Sequence, residues 1–194
     1  VFAMDEVAAR VATAIGLRVF FDPLWFPNDT ARAALYGTHD YARIMLAKVY
    51  CAHLVTTLGC DFVFHDIDIV PLRPDYLAPL VMTTGNDNTG QLPADMTFQY
   101  DFAGPASAAQ SQTPEYRPWL LNSGLYLIRS NPRTVALWET LVRQTDWVLR
   151  SQSQQVVLTD VIGQHVQDRG LSVQVLRSQA NQMPGKYDIE SNYV

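Results

Sequence analysis

The chain has 194 residues, 48% of them hydrophobic and 17% charged, which suits one globular domain with its own core and excludes a disordered segment. Its net charge of −5 and its two lysines, Lys48 and Lys186, leave no basic stripe of the kind that tracks a nucleic-acid backbone. Two cysteines, Cys51 and Cys60, are too few for a disulfide framework and wrongly spaced for a zinc site.

In chain order, "VFAM" reads as a short strand and "DEVAARVATAIG" as a helix, with Asp5 as its cap and Gly16 as its stop. "LRVFF" is a second strand, and Pro23 and Pro27 punctuate a loop after it. Ile44, Leu46, Val49, Leu54 and Val55 predict a long, largely buried helix from about Thr38 to Leu58, ended by Gly59. "CDFVFHD" is then expected as a central strand. "PLRPDYLAPL" reads as a turn and short helix, "LVMTT" as a strand, "GNDNTGQLP" as a loop and "DMTFQYD" as an edge strand. Residues 102–118 are small, polar and Pro-rich and read as a loop. "GLYLIRS" is a strand, and "NPRTVALWETLVRQTDWVL" a helix with Asn131 as cap and Pro132 at its first position. "SQQVVLTDVIGQHV" is another helix and "LSVQVL" a late strand. Strands alternating with helices predict an α/β layered domain around a mostly parallel sheet. The chain opens inside a strand signal and contains no apolar run of membrane-spanning length or signal peptide. The expectation is one catalytic domain over residues 1–194, cut from a longer protein at both ends, with any anchor outside it.

The chemistry concentrates in "FVFHDIDIVPL". Residues i and i+2 of a strand face the same way, so Asp66 and Asp68 would present two hard oxygen ligands to one ion. The carboxyl end of a strand is where α/β folds bind ligands. Mg2+ or Mn2+ suits such ligands and keeps positions open for phosphate oxygens. A lone D-x-D carries little information; the apolar "FVF" before it carries more. The bland alternative is that one aspartate caps the following turn. By parity His65 faces away from both and reads as a packed or hydrogen-bonded residue. Cys51 and Cys60 are either free or paired across a helix–strand turn.

"LGCDFVFHDIDIVPLRPDYL" resembles the D-x-D segment of the nucleotide-diphospho-sugar transferase family, whose members have the GT-A fold. "LLNSGLYLIRSNPRTVALWETL" resembles that family's Asn-x-Gly-aromatic strand and the Trp-containing helix after it, and "ADMTFQYD" its "aD-x-x-F-Q-x-D" segment. "VFAMDE" and "YARIMLAKVYCAHLVTTLG" fit too, in the right order. The resemblance implies a three-layer α/β/α GT-A domain with a mixed, mostly parallel sheet. It implies sugar transfer from a nucleotide-diphosphate donor (UDP- or GDP-linked) to a carbohydrate or glycoprotein hydroxyl. Asp66 and Asp68 would be the catalytic metal ligands, with Mn2+ or Mg2+ as cofactor. Lys48 would approach the donor, Asn122, Ser123 and Gly124 would line the donor-sugar or acceptor side, and Gln99 and Asp101 would also face the sugar. Many relatives carry Asp-Gln where this chain has Gln154 and Gln155; an amide is no general base, so Gln154 is expected to hydrogen-bond the sugar. A third metal ligand would fall after "YDIESNYV" and the nucleobase-gripping strand before "VFAMD". The implied setting is the Golgi or secretory lumen, with a type II membrane anchor outside the chain.

Two other readings compete. A haloacid dehalogenase-type phosphatase would use Asp66 as nucleophile and Asp68 as acid–base, with "PLVMTT" as its second motif; no acidic motif follows Lys186 to complete it. A sugar-nucleotide-binding module with a decayed site is the other, supported by Gln154 and opposed by the retained aspartates. Among the tryptophans, Trp138 and Trp147 read as core or interface, Trp25 is unassigned, and Trp119 is the candidate for stacking on an acceptor. Arg129 and Arg133 could pair with phosphate, or simply start an exposed helix. Asp5 could reach a ribose, though capping explains it.

Overall fold

The structure, a computed structural model, describes residues 1–24, 38–66, 75, 77–78, 93–100, 121–151, 153–178 and 187–188. The chain divides into two compact units, Val1–Leu54 with Trp138–Leu158, and Val55–Leu137 with Thr159–Val194.

In the first unit, Phe2 and Phe20 form a parallel bridge, with Ala3 N donating to Phe20 O at 2.9 Å and Phe20 N to Val1 O at 2.8 Å. The two predicted strands thus pair in the expected parallel sense but over a single bridge. Helix α1 (Glu6–Ala14) joins them. The Asp5 carboxylate accepts from Ala8 N at 2.7 Å, a full capping role that leaves the ribose reading without support. Helix α2 (His39–Thr57) falls within a residue of its predicted ends. Gly59, at φ 77°, follows it in the left-handed region that a side chain would strain. Ala47 and Cys51 of α2 form a small core with Phe2, Met4 and Phe21.

Both cysteines are free. Burial pushes the Cys51 thiol up to about 12, whereas Cys60 is exposed. Because the thiolate is the reactive form, native protein at pH 8 should give one rapidly labelled thiol, Cys60, in a chromogenic disulfide-exchange assay. Cys51 should appear only in denaturant; rapid labelling of both would contradict its burial.

The predicted helix after Asn131 is two helices, α3 (Pro132–Arg143) and α4 (Thr145–Ser151). The break falls at Gln144, where the Thr145 hydroxyl donates to Val142 O at 2.7 Å and offers the backbone a local alternative partner. Trp138 is fully buried, as expected of a core residue, and Trp147 is half-buried. Helix α5 (Gln154–Arg169) buries Gln154, Val157, Leu158, Val161, Ile162 and His165 along one stripe.

The second unit holds the sheet: β1 (Phe62–His65), β2 (Met96–Tyr100), β3 (Leu121–Ile128), β4 (Val173–Ser178) and the two-residue β5 (Tyr187–Asp188), in the order β1-β3-β2-β4-β5. It is a mixed α/β sheet. β2 and β4 pair in parallel; β3 is antiparallel to both β1 and β2, and β5 to β4. β1, β2 and β4 therefore run the same way, with β3 inserted against them. One sequence expectation changes. β2 is an interior strand, not an edge, because Met96, Thr97 and Phe98 are buried and it pairs on both sides. β1 is half-buried and, among the described residues, pairs with β3.

β3 is buried on both faces, which is why "GLYLI" reads as a continuous apolar run. One face carries Tyr126, stacked on Phe64 (5.0 Å) and touching Phe98 (5.2 Å). The other packs Leu125 and Leu127 with Leu176, Val63 and Leu77.

His165 is 4% exposed. Burial first, and then the charge of Arg169, hold its pKa below the ordinary 6.5 against the opposing pull of Asp168. A histidine kept neutral by the fold takes up protons in the unfolded chain first. Stability is therefore complete above the unfolded value, about 6.5, and falls as pH drops below it toward the folded pKa. Urea midpoints of wild type should fall between pH 7 and pH 5 by more than those of His165→Gln; equal falls would contradict this.

Candidate active site

Five of the expected site residues gather at the carboxyl edge of the sheet. β1 runs directly into Asp66, whose N–H donates to Gly124 O at 2.8 Å, one step beyond the His65–Leu125 pair. β2 reaches the same edge at Gln99, which lies opposite Asn122 of β3. Ser123 is buried, while Asp66, Gln99 and Asn122 are half-buried. His65 pairs with Leu125, on the face of the Leu125–Leu127 core and opposite to that of Asp66, as parity predicts.

The register breaks here. The β3 partner jumps from Tyr126, opposite Phe98, to Asn122, opposite Gln99. Ser123, Gly124 and Leu125 therefore have no counterpart on β2, although Leu125 and Gly124 still bond along β1. Such bulges re-aim side chains beside binding sites. Within it, Asn122 Oδ1 accepts from Gly124 N at 2.6 Å.

Lys48 lies half-buried on α2, and Gln154 and Gln155 open α5, all three in the other compact unit. Gln154 is 2% exposed, and its amide nitrogen has no hydrogen-bond partner among the described residues. Asp68, Asp101, Trp25 and Trp119, and the segments 79–92 and 101–120, lie outside the described residues. Among the described residues no three of His, Cys, Asp or Glu are grouped to hold a metal ion, and no helix is long and apolar enough to cross a membrane. The Asp66 carboxylate is the hard oxygen donor at this edge and suits Mg2+ or Mn2+.

The opposite, amino edge carries a cluster that the sequence reading passed over. Asp95, just before β2, accepts from Arg133 Nε and Nη2 (both 2.7 Å), Asn131 Nδ2 (2.8 Å) and Ser172 N (2.9 Å). Its side chain is 4% exposed. Asn131 also caps α3 as predicted, accepting from Arg133 N and Thr134 N. Ser130 bonds Asp61 and Thr56, and Arg129 Nε donates to Ala94 O. Arg129 and Arg133 are therefore structural at this edge and are not phosphate ligands of the candidate site. The signal was present in "AD" before one strand and "NPR" after another, but pairing them requires the register.

The half-buried Asp66, Gln99 and Asn122 thus lie at the carboxyl edge of an α/β sheet, where such folds bind ligands. The chain belongs to the nucleotide-diphospho-sugar transferase family, whose model matches residues 1–188. It is also similar to a beta-arabinofuranosyltransferase of Arabidopsis thaliana, 27% identical over 143 residues that make up 74% of this chain. The matched part spans 24% of that relative's length. No solved structure matches the chain. The GT-A-like α/β fold accords with this family, which sets the chain with the transferases rather than the phosphatases.

Proposed function

We propose that this protein is a metal-dependent glycosyltransferase that moves a sugar from a nucleotide-diphosphate donor to a hydroxyl of a glycan or glycoprotein. The observation that carries the reading is Asp66, held beside Gly124 at the carboxyl edge where β3 bulges, in a chain that the family matches almost throughout. In transfer, the bond from the anomeric carbon to the diphosphate breaks, the acceptor oxygen takes its place, and the acceptor proton is released. Asp66 and Asp68 would hold a Mn2+ or Mg2+ ion, which supplies positive charge against the diphosphate when bound. Gln99, Asp101, Asn122, Ser123 and Gly124 orient the sugar. Lys48, Gln154 and Gln155 enter this reading through the family resemblance alone. The relative's name makes an arabinofuranosyl donor the first to try, and the Golgi lumen is the matching setting.

The test incubates the full-length protein with UDP- and GDP-sugars, arabinofuranose conjugates included, a panel of hydroxyl acceptors, and Mn2+ or a chelator. The expected result is sugar on the acceptor with stoichiometric nucleoside diphosphate, lost in chelator. Phosphate release from phosphomonoesters without sugar transfer would overturn the reading in favour of a phosphatase.

A further inference from the structure

Helix α1 packs by its small side. Ala12 is buried and Ala9 half-buried, whereas Val7, Val11 and Ile15 are 59%, 58% and 71% exposed. With 3.6 residues per turn, these three and the exposed Ala8 and Ala14 cover an arc of about 120°. That is the width of the stripe by which a surface helix normally meets a core, and here it faces outward. Single exposed apolar residues need no partner, but a contiguous strip marks an interaction site.

The pattern on the strip selects the partner. It reads alike in both directions about Val11, with Val7 and Ala8 before it and Ala14 and Ile15 after it. A two-fold antiparallel pairing therefore sets Val7 against the second copy's Ile15 and Ala8 against its Ala14, each twice, with Val11 facing itself. The alanines let the two backbones approach. Asp5 and Glu6 stand at the start of α1 and exposed Arg18 follows its end, so the same pairing brings unlike charges together. A lipid surface fits less well. The charged pair on the polar side, Glu6 and Arg10 at 3.7 Å, sums to zero, without the Lys/Arg excess of interfacial helices.

We infer that the exposed stripe of α1 is a two-fold contact between two copies of this chain, centred on Val11. The stripe is short, so the association is of the transient class. The inference does not rest on the transferase reading.

Sedimentation velocity of the full-length protein from about 1 to 100 µM should show a concentration-dependent dimer. Val11→Glu and Val11→Lys each set like charges face to face and should weaken it at least about tenfold. An equimolar mixture of the two should recover the dimer, because Glu then faces Lys. Both variants should melt near wild type, since the position is exposed. A wild type that stays monomeric throughout would overturn the inference. So would a dimer that both variants leave intact, or one that they weaken without recovery in the mixture. A monomeric wild type whose melting temperature falls in both variants would show that another part of the full-length chain covers the stripe. Binding of a monomeric wild type to phosphatidylserine vesicles, lost in Val11→Glu, would assign the stripe to lipid; each of these results also overturns the inference.

Discussion

Asp66→Asn should reduce sugar transfer by about a thousandfold, the equivalent of roughly 4 kcal/mol in the barrier. The change keeps the side chain's size and removes its charge. The bond from Asp66 N to Gly124 O at 2.8 Å is a backbone bond, and the substitution leaves it in place. The melting temperature should therefore stay near wild type while kcat collapses. The loss should also persist at saturating Mn2+, because an amide is a poor ligand for a hard cation. A variant that kept full activity would remove Asp66 from the chemistry. One that lost activity together with its fold would make it a structural residue. The assay is steady-state transfer beside a thermal melt of the same preparation.

The largest effect on stability is expected at the other edge of the sheet. Asp95→Ala should destabilise the protein by about 3–5 kcal/mol, the range for breaking a buried ion pair from one side. The carboxylate is 4% exposed and accepts four hydrogen bonds, from two atoms of Arg133, from Asn131 and from Ser172 N. Without it, Ser172 N loses its acceptor in a part-buried place, and the Asn131 amide keeps only its longer bond to Arg129 O. Asp95→Asn should be little better, because each carboxylate oxygen accepts two donors and an NH2 in either position would face donors. Arg133→Ala should cost less, since its side chain is 48% exposed and water can replace part of what it gives. Urea denaturation of the three variants should rank them in that order; equal, small losses would show that the cluster is incidental to stability.

The parts of the fold that were legible in sequence are those settled locally. Gly59 takes a positive φ one residue after the Leu58 that follows α2, and Asn131-Pro132 starts α3 through its own side-chain bonds. The turn at Gln144 was not legible, because no Gly or Pro marks it and its one side-chain bond comes from a threonine hydroxyl, a weak sequence signal. The interior place of β2 was hidden for a different reason. "MTFQY" alternates like a half-exposed strand, yet Thr97 is buried because β3 and β4 flank it on both sides. Asp95 was missed because its partners lie 38 and 77 residues away in the chain.

The candidate site divides the same way. An apolar strand ending in Asp66, with His65 facing away, follows from parity alone. That Gly124 is the residue beside Asp66, and that Asn122 Oδ1 accepts from Gly124 N, depends on the β1–β3 register and on a bulge that β3 makes against β2. No local pattern encodes a jump of that kind. The family resemblance pointed to the same residues without giving their geometry.

The most direct test of a metal-dependent donor site at this edge is calorimetric binding of UDP- and GDP-sugars to the full-length protein, with and without Mn2+. Wild type should bind one nucleotide class only when Mn2+ is present, and Asp66→Asn and Asp68→Asn should each lose that binding while remaining folded. Binding that is indifferent to both the metal and the two aspartates, or no binding by a folded wild type, would contradict the donor site.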